Sequence, residues 1–210
     1  MDIDGKTEVC HVKNTGRLRE LLTEGVSVYV QVSGNPERKT KYDLVAVEKV
    51  TSRGVLLINM DSQIPNDVVS EWLPKSGMFS DNAVYRREYT YGKSRFDIYV
   101  EDGSRKAFVE VKGVTLENDG IVSFPDAPTE RGVKHLNELI TALDYGFECY
   151  VIFVVQMKGV TEFKANRERH PEFADALKKA FESSVKIKAL DCIVTHDEIK
   201  LDTDINVCII

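Results

Sequence analysis

The sequence has no CxxC pair, no glycine-rich phosphate loop and no apolar stretch of membrane-spanning length. Its four cysteines, Cys10, Cys149, Cys192 and Cys208, are scattered. That spacing fits neither a zinc site nor a disulfide framework, so reduced thiols in a cytosol are expected. The longest apolar run, CYVIFVV at Cys149–Val155, is far shorter than the ~20 residues a membrane helix needs, so no membrane partner is expected. The opening residues MDIDGKTEVC are acidic and polar, unlike a signal peptide. Cys208 is third from the end, one place off a prenylation box. His11, His170 and His196 have no partner at ligand spacing. With no cofactor motif, a small-molecule sensor has no support.

An excess of positive charge is also absent. The net charge is −6, which argues against a surface that is one continuous nucleic-acid footprint. Residues 1–60 carry nine Lys/Arg and eight Asp/Glu, net +1, and the remainder carries nineteen and twenty-six, net −7. Contacts to DNA would therefore come from local clusters. Arg38, Lys39 and Lys41, in the turn-rich segment SGNPERKTK, form one, and Lys13, Arg17 and Arg19 form a second. Such loop charges can equally be plain solvated surface.

What is present is an ordinary globular composition, 42% apolar and 30% charged over 210 residues, enough for one large domain or two small ones. The pattern changes near Met60–Asn66. Before it, EVCHV, VSVYVQV, YDLVAVE and GVLLIN read as short strands separated by turn residues, a small barrel of the OB type. Asn14-Thr15-Gly16 leads into RLRELL, read as a short helix. After the divide, strands and helices alternate. PNDVVSEWL predicts a helix capped by Asn66 or Asp67, followed by strands at YRREYTY, FDIYV and KAFVEVKGV. A helix is predicted from Thr129 to Tyr145, with Pro128 at its start, Gly146 at its end and an apolar stripe of Val133, Leu136, Ile140 and Leu143. CYVIFVV is a buried strand, Pro171 opens a helix over PEFADALKKAFESS, and VKIKALDCIV and EIKL complete a sheet. Residues 1–62 thus read as an OB-like β domain and residues 63–210 as an α/β domain. Trp72 is expected in the core.

The chemistry concentrates in SRFDIYVEDGSRKAFVEVKG. A two-residue Gly103-Ser104 turn fixes the register so that facing residue numbers sum to 207. Asp97 then faces Glu110, Arg95 faces Lys112, Tyr99 faces Phe108 and Glu101 faces Lys106, all on one side of the hairpin. Phe96, Ile98 and Val100 share the other side with Val111, Val109 and Ala107, an apolar face. Two carboxylates so placed, roughly 5 Å apart, repel by on the order of 3 kcal/mol at an effective dielectric constant near 20. One carboxylate could stay protonated, Lys112 could neutralise the pair, or a hard cation could bridge it. Oxygen ligands around a partly open site suit Mg²⁺ or Mn²⁺. An isolated D…ExK pattern would equally describe a solvated face with ordinary ion pairs.

Longer stretches resemble one family in order along the chain: HVKNTGRLRELL (His11–Leu22), SRFD (Ser94–Asp97), FVEVKGVTL (Phe108–Leu116), FPDAPTERGVKHLNEL (Phe124–Leu139) and FVVQ (Phe153–Gln156). They resemble the sugar fermentation stimulation protein (SfsA) family. The resemblance implies an OB-like domain followed by a PD-(D/E)XK nuclease-type fold, with Asp97 on the first metal-binding acid and Glu110 and Lys112 on the ExK. It also implies DNA as partner, bound with little sequence preference, and by name a link to sugar metabolism. Family members carry a longer segment ahead of the stretch matching DIDGKTEVCHV. The resemblance therefore predicts that the OB-like domain lacks its first strand, which would bare a sheet edge.

Glu130 and Lys134 are candidates for contact with phosphate or water over the metal site, although at i,i+4 they can equally be a surface ion pair. His135 is a candidate base, and Glu88 a strand-surface charge rather than a further metal acid. Two functions follow. In one, Asp97 and Glu110 hold Mg²⁺ and Lys112 positions water or stabilises a pentavalent phosphate. In the other, the chain is a non-catalytic DNA-binding protein acting in sugar regulation.

Overall fold

The residues before Met60 fold as strands, as their Val-, Tyr- and Leu-rich runs dictate. The structure, a computed structural model, describes residues 1–14, 16–35 and 37–209; Thr15 of the expected Asn14-Thr15-Gly16 turn and Pro36 of the SGNPERKTK segment lie outside them. β1 (Asp2–Ile3) and β2 (Lys6–Thr7) form a small hairpin. β3 (Cys10–Val12), β4 (Val28–Val32), β5 (Tyr42–Thr51) and β6 (Gly54–Asn59) make a four-stranded sheet around the long β5. β4 lies along one edge of β5. β3 and β6 lie end to end along the other, against Tyr42–Leu44 and Ala46–Thr51. β5 is thus paired on both sides, while β3, β4 and β6 pair with no other strand among the described residues.

RLRELL does not form the expected helix. Leu18 takes a left-handed backbone, φ 50, which costs an L-residue about 1 kcal/mol or more and ends any helix there. Its carbonyl instead accepts from both Leu21 and Leu22 N–H groups, and Leu18 and Leu21 insert into the core.

α1 (Ile64–Trp72) begins the second part. Gln63, not Asn66 or Asp67, holds the N-cap position, and Pro65 supplies the first turn with its preset φ. Trp72 is only half-buried against the core. Then follow β7 (Val84–Tyr91), β8 (Ser94–Asp102), β9 (Arg105–Val114), β10 (Leu116–Asn118), β11 (Ile121–Phe124) and α2 (Glu130–Asp144). β12 (Glu148–Val155), β13 (Glu162–Ala165), α3 (Pro171–Glu182), β14 (Lys186–Val194), β15 (Ile199–Asp204) and β16 (Asn206–Cys208) complete the chain. Among the described residues no helix is long and apolar enough to cross a membrane.

Six strands form a mixed central sheet in the order β15-β14-β12-β9-β8-β7, with β9, β12 and β14 mutually parallel. β12 is buried on both faces. Val151, Phe153 and Val155 join one core cluster, covered by Leu136 and Leu139 of α2 and Phe173 and Leu177 of α3. Tyr150, Ile152 and Val154 join the other, covered by Val68 and Val69 of α1. α2 starts as expected: Thr129 caps it, its side chain accepting from Gly132 N–H, and Gly146 follows with φ 81. A second sheet, β10-β11-β13-β16, leaves little signal in the sequence, because its strands are only three or four residues long.

The change of pattern near residue 60 is not a break in the core. Leu44, Val47, Ile58 and Met60 pack in the same cluster as Val155, Met157 and Phe163. Gln156, buried at the end of β12, fastens the junction: its Nε2 donates to Asn59 O at 3.2 Å, Asn59 Oδ1 at 2.8 Å and Asp61 O at 3.0 Å. Gln156→Leu would leave buried acceptors unpaired and should lose about 2 kcal/mol. In urea, the midpoint of one transition for the whole chain should fall; two transitions, only one of them displaced, would show separable parts.

Candidate metal and nucleic-acid site

The β8–β9 hairpin turns at Gly103-Ser104, where glycine supplies a φ of 61. Its pairs run from Asp102↔Arg105 through Glu101↔Lys106 and Tyr99↔Phe108 to Ile98↔Val109. Every pair sums to 207, the expected register. The ladder stops one step short of Asp97 and Glu110. Beside that point, on β7, Glu88 has φ 52 and interrupts the β7–β8 pairing between Arg87↔Ile98 and Tyr89↔Phe96. Here the strands change face. Phe96 crosses to the α2 side and stacks on Phe108, with ring centroids 4.5 Å apart, rather than joining Ile98 and Val100. The expected Arg95–Lys112 opposition is also replaced: Arg95 bonds Glu88 at 3.2 Å.

This irregularity frees Asp97 from strict alternation. Its Oδ2 accepts the Val111 N–H at 2.8 Å, and its Oδ1 accepts from Asn66 Nδ2 of α1 at 3.2 Å. Glu110 points to the α2 side and is 1% exposed. Its Oε1 accepts from Lys112 Nζ at 2.5 Å and from His135 Nδ1. Arg131 Nε donates to His135 Nε2 at 3.4 Å, which leaves Nδ1 to carry the proton shared with Glu110. Glu110 Oε2 is buried with no hydrogen-bond partner.

The two carboxylates ionise differently. Burial and then the Glu110 charge raise the Asp97 pKa, more than Lys112, the Val111 amide and Asn66 lower it. Burial also opposes ionisation of Glu110, but the Lys112 charge and the His135 contact outweigh it and hold this carboxyl below its ordinary value. The site therefore contains one firmly ionised carboxylate with an unpartnered oxygen, beside a second whose charge is penalised. A hard cation would relieve both, and carboxylate oxygens such as those of Asp97 and Glu110 are the ligand type that Mg²⁺ or Mn²⁺ takes. Among the described residues no group of three or more His, Cys, Asp or Glu side chains could hold a metal, so a cation here would take its remaining ligands from water or phosphate.

Glu130 and Lys134 do not pair with each other. Lys134 Nζ is 3.7 Å from Glu138 and donates to Lys93 O at 3.2 Å, while Glu130 lies 3.5 Å from His170. The α2 residue that touches Glu110 is His135. Its signal in the sequence was position: it falls one residue before Leu136 and four before Leu139, on the buried face. Lys93, Arg95, Glu130, Arg131 and Lys134 line a shallow groove that ends at His135. Four cations from two distant segments meet there, a cluster that no run of the sequence displays.

The basic loops look different in place. Arg38 grips Asp43 through both terminal nitrogens, at 2.8 and 3.0 Å, and the Asp43 carboxyl falls to about 2 chiefly through that contact. Lys13 lies 3.5 Å from both Asp43 and Asp61, and Arg17 3.6 Å from Glu20. Among the described residues no carboxylate lies within ion-pair distance of Arg19, Lys39, Lys41 or Lys93.

Comparison with known proteins agrees with this architecture. The family model described as "Sugar fermentation stimulation protein RE domain" matches residues 63–198, and "SfsA N-terminal OB domain" matches residues 1–57. The OB domain is therefore present, which corrects the expectation of a truncated one. A sugar fermentation stimulation protein homolog of Clostridium beijerinckii is 54% identical over 201 residues, covering 96% of this chain and 87% of the relative. One from Desulfitobacterium hafniense is 56% identical, covering 95% and 86%. A solved structure of SfsA from Pyrococcus furiosus in complex with Ca²⁺ superposes with a TM-score of 0.82 at 27% identity, covering 98% of this chain and 87% of that one. On these matches, which span both parts of the fold, the chain belongs to the sugar fermentation stimulation protein (SfsA) family.

Proposed function

We propose that the chain is a DNA-binding protein with a PD-(D/E)XK nuclease-type site, using Mg²⁺ or Mn²⁺ at Asp97 and Glu110 to hydrolyse phosphodiester bonds. The observation that carries this is the buried, unpartnered Oε2 of Glu110 beside a second carboxylate. The D…ExK set on adjacent strands of one hairpin supports it, as does the Ca²⁺ complex of the Pyrococcus furiosus relative. A bound divalent cation lowers the pKa of a water ligand and offsets phosphate charge. Lys112, held at the mouth of the site by Glu110, would stabilise the extra negative charge of the pentavalent phosphate. His135 orients the Glu110 carboxylate, and Asn66 does the same for Asp97. Lys93, Arg95, Arg131 and Lys134 would neutralise successive phosphates along the groove, with Arg19, Lys39 and Lys41 further out. A non-catalytic DNA-binding protein is the second reading, favoured by the Lys112–Glu110 pair, which balances Glu110 without any cation.

Calorimetry with Mn²⁺ and Mg²⁺ should show binding to the wild type and none to Asp97→Asn. Plasmid and single-stranded DNA should be cut with either cation and spared in EDTA; metal binding without cutting would favour the second reading, and no metal binding would end the first.

The stability of Asp97→Asn has a defined sign. A carboxyl whose pKa is raised on folding penalises the native state above that pKa, and the penalty fades as pH falls through it. The variant should be more stable than wild type at neutral pH, by on the order of 1 kcal/mol, and the gap should narrow as the solution is acidified. Denaturation midpoints across that range measure it.

Groove and loop can be separated by salt. Replacing Lys93 and Lys134 with alanine should reduce the slope of log K against log salt by about 2. Replacing Lys39 and Lys41 should change it less; the reverse order would move the footprint to the N-terminal sheet.

A further inference from the structure

A second cavity, of about 270 Å³, is lined in part by β9, the strand that carries Glu110 and Lys112. It begins at Gly113, the residue after Lys112, and runs between the two parts of the chain. Asn14 and Ser62 line it from the N-terminal part, and Phe124, Asp126 and Gln156 from the other. Four of the five segments singled out in the sequence meet here, although they are far apart along the chain.

The lining chemistry is selective. Among the described residues no lysine or arginine faces this cavity, so it offers a phosphate no side-chain counter-charge. It offers hydroxyls, amides, an aromatic ring and one carboxylate. Asp126 is fixed by its Oδ2, which accepts the Arg17 N–H at 2.8 Å, and among the described residues no donor reaches its Oδ1. Two glycines keep the walls close: a Cβ on Gly16 would meet Asp126 Oδ2 at 2.3 Å, and one on Gly113 would meet Gln156 Oε1 at 2.6 Å. The volume lies just under the ~300–1,000 Å³ typical of sites for drug-sized ligands. It suits one planar, uncharged ring system with hydrogen-bonding edges, and a base held in a duplex cannot enter it.

We propose that this cavity receives one unpaired nucleobase of the substrate strand, next to the phosphate held at Asp97, Glu110 and Lys112. This rests on the nuclease-type reading for its neighbour, but the cavity's own chemistry is independent of the metal. Phosphates follow the cationic groove, and the base past the reacting centre leaves the stack and turns into the cavity, which carries no cationic side chain. Phe124 supplies an aromatic surface, and Asp126 accepts from an amino group on the base edge. The substrate is therefore a single-stranded or frayed nucleic acid, and bases with an exocyclic amino group are preferred over uracil and thymine.

Free nucleosides test this without phosphate or metal. Ligand-observed NMR titrations in EDTA should show adenosine, guanosine and cytidine binding the wild type at least 5-fold tighter than uridine. Asp97→Asn should bind them equally well. Ala127→Trp, which fills the cavity from a loop, should weaken them at least 10-fold while leaving Mn²⁺ binding intact. Should that variant not fold, Asp126→Asn should abolish the preference over uridine. Nucleoside binding without Mn²⁺ binding would remove the nuclease reading and leave the base site standing. No nucleoside binding to a folded, Mn²⁺-binding protein would overturn the base site and leave the nuclease reading, as would binding indifferent to both cavity variants.

Discussion

Glu110 places a charge in the middle of an apolar sheet, between Val109 and Val111, which pack into the opposite core face. A buried ionised carboxylate is tolerated only when it is paired, and much of the surrounding structure answers to that requirement. Lys112 must lie on the same strand face. α2 must cross at a height that brings His135 over the carboxylate, which Thr129 settles by capping the helix six residues earlier. Arg131 then fixes the ring of His135. One oxygen is fully engaged by this arrangement and the other is not, and the asymmetry separates a mere buried ion pair from a place where a cation could sit.

The register of the hairpin was readable because it depends on a two-residue turn and on period-two alternation, both local. The same reasoning failed at Phe96, because alternation assumes an uninterrupted strand and Glu88 turns the neighbouring strand at φ 52. A left-handed glutamate leaves no trace in composition. The helix expected over RLRELL failed for a similar reason: Leu18 and Leu21 are good helix formers, but the core draws both inward from a turn. Helix α2 was legible at both ends because Pro128 beside its start and Gly146 at its end are local signals, whereas Gln63, which opens α1, has no capping side-chain bond.

Site residues divide along the same line. Asp97, Glu110 and Lys112 stand close in sequence and could be placed together. His135 arrives from α2, where the sequence offers it only as a candidate base, and Asn66, expected only as a helix cap, arrives from α1. Loop charge was the poorest guide. Arg38 and Lys13 look like free cations in a polar run, yet both lie at Asp43, a half-sheet carboxylate that needs them. Lys93 and Lys134 look unremarkable in sequence, and become a cluster only because β8 begins beside α2.

The continuous core has a mechanical meaning. Enzymes that close on their substrates do so about hinges, where few packed contacts cross between bodies. Here Met60, Met157 and Phe163 lock the two parts in one cluster, and Gln156 fastens the seam by hydrogen bonds. The gap between the parts is held at fixed width, so selection falls on the pliability of whatever enters. Under the proposed function, a stiff double helix would gain nothing from a jaw that does not move, whereas a limp strand would thread it, and the work of bending would belong to the guest.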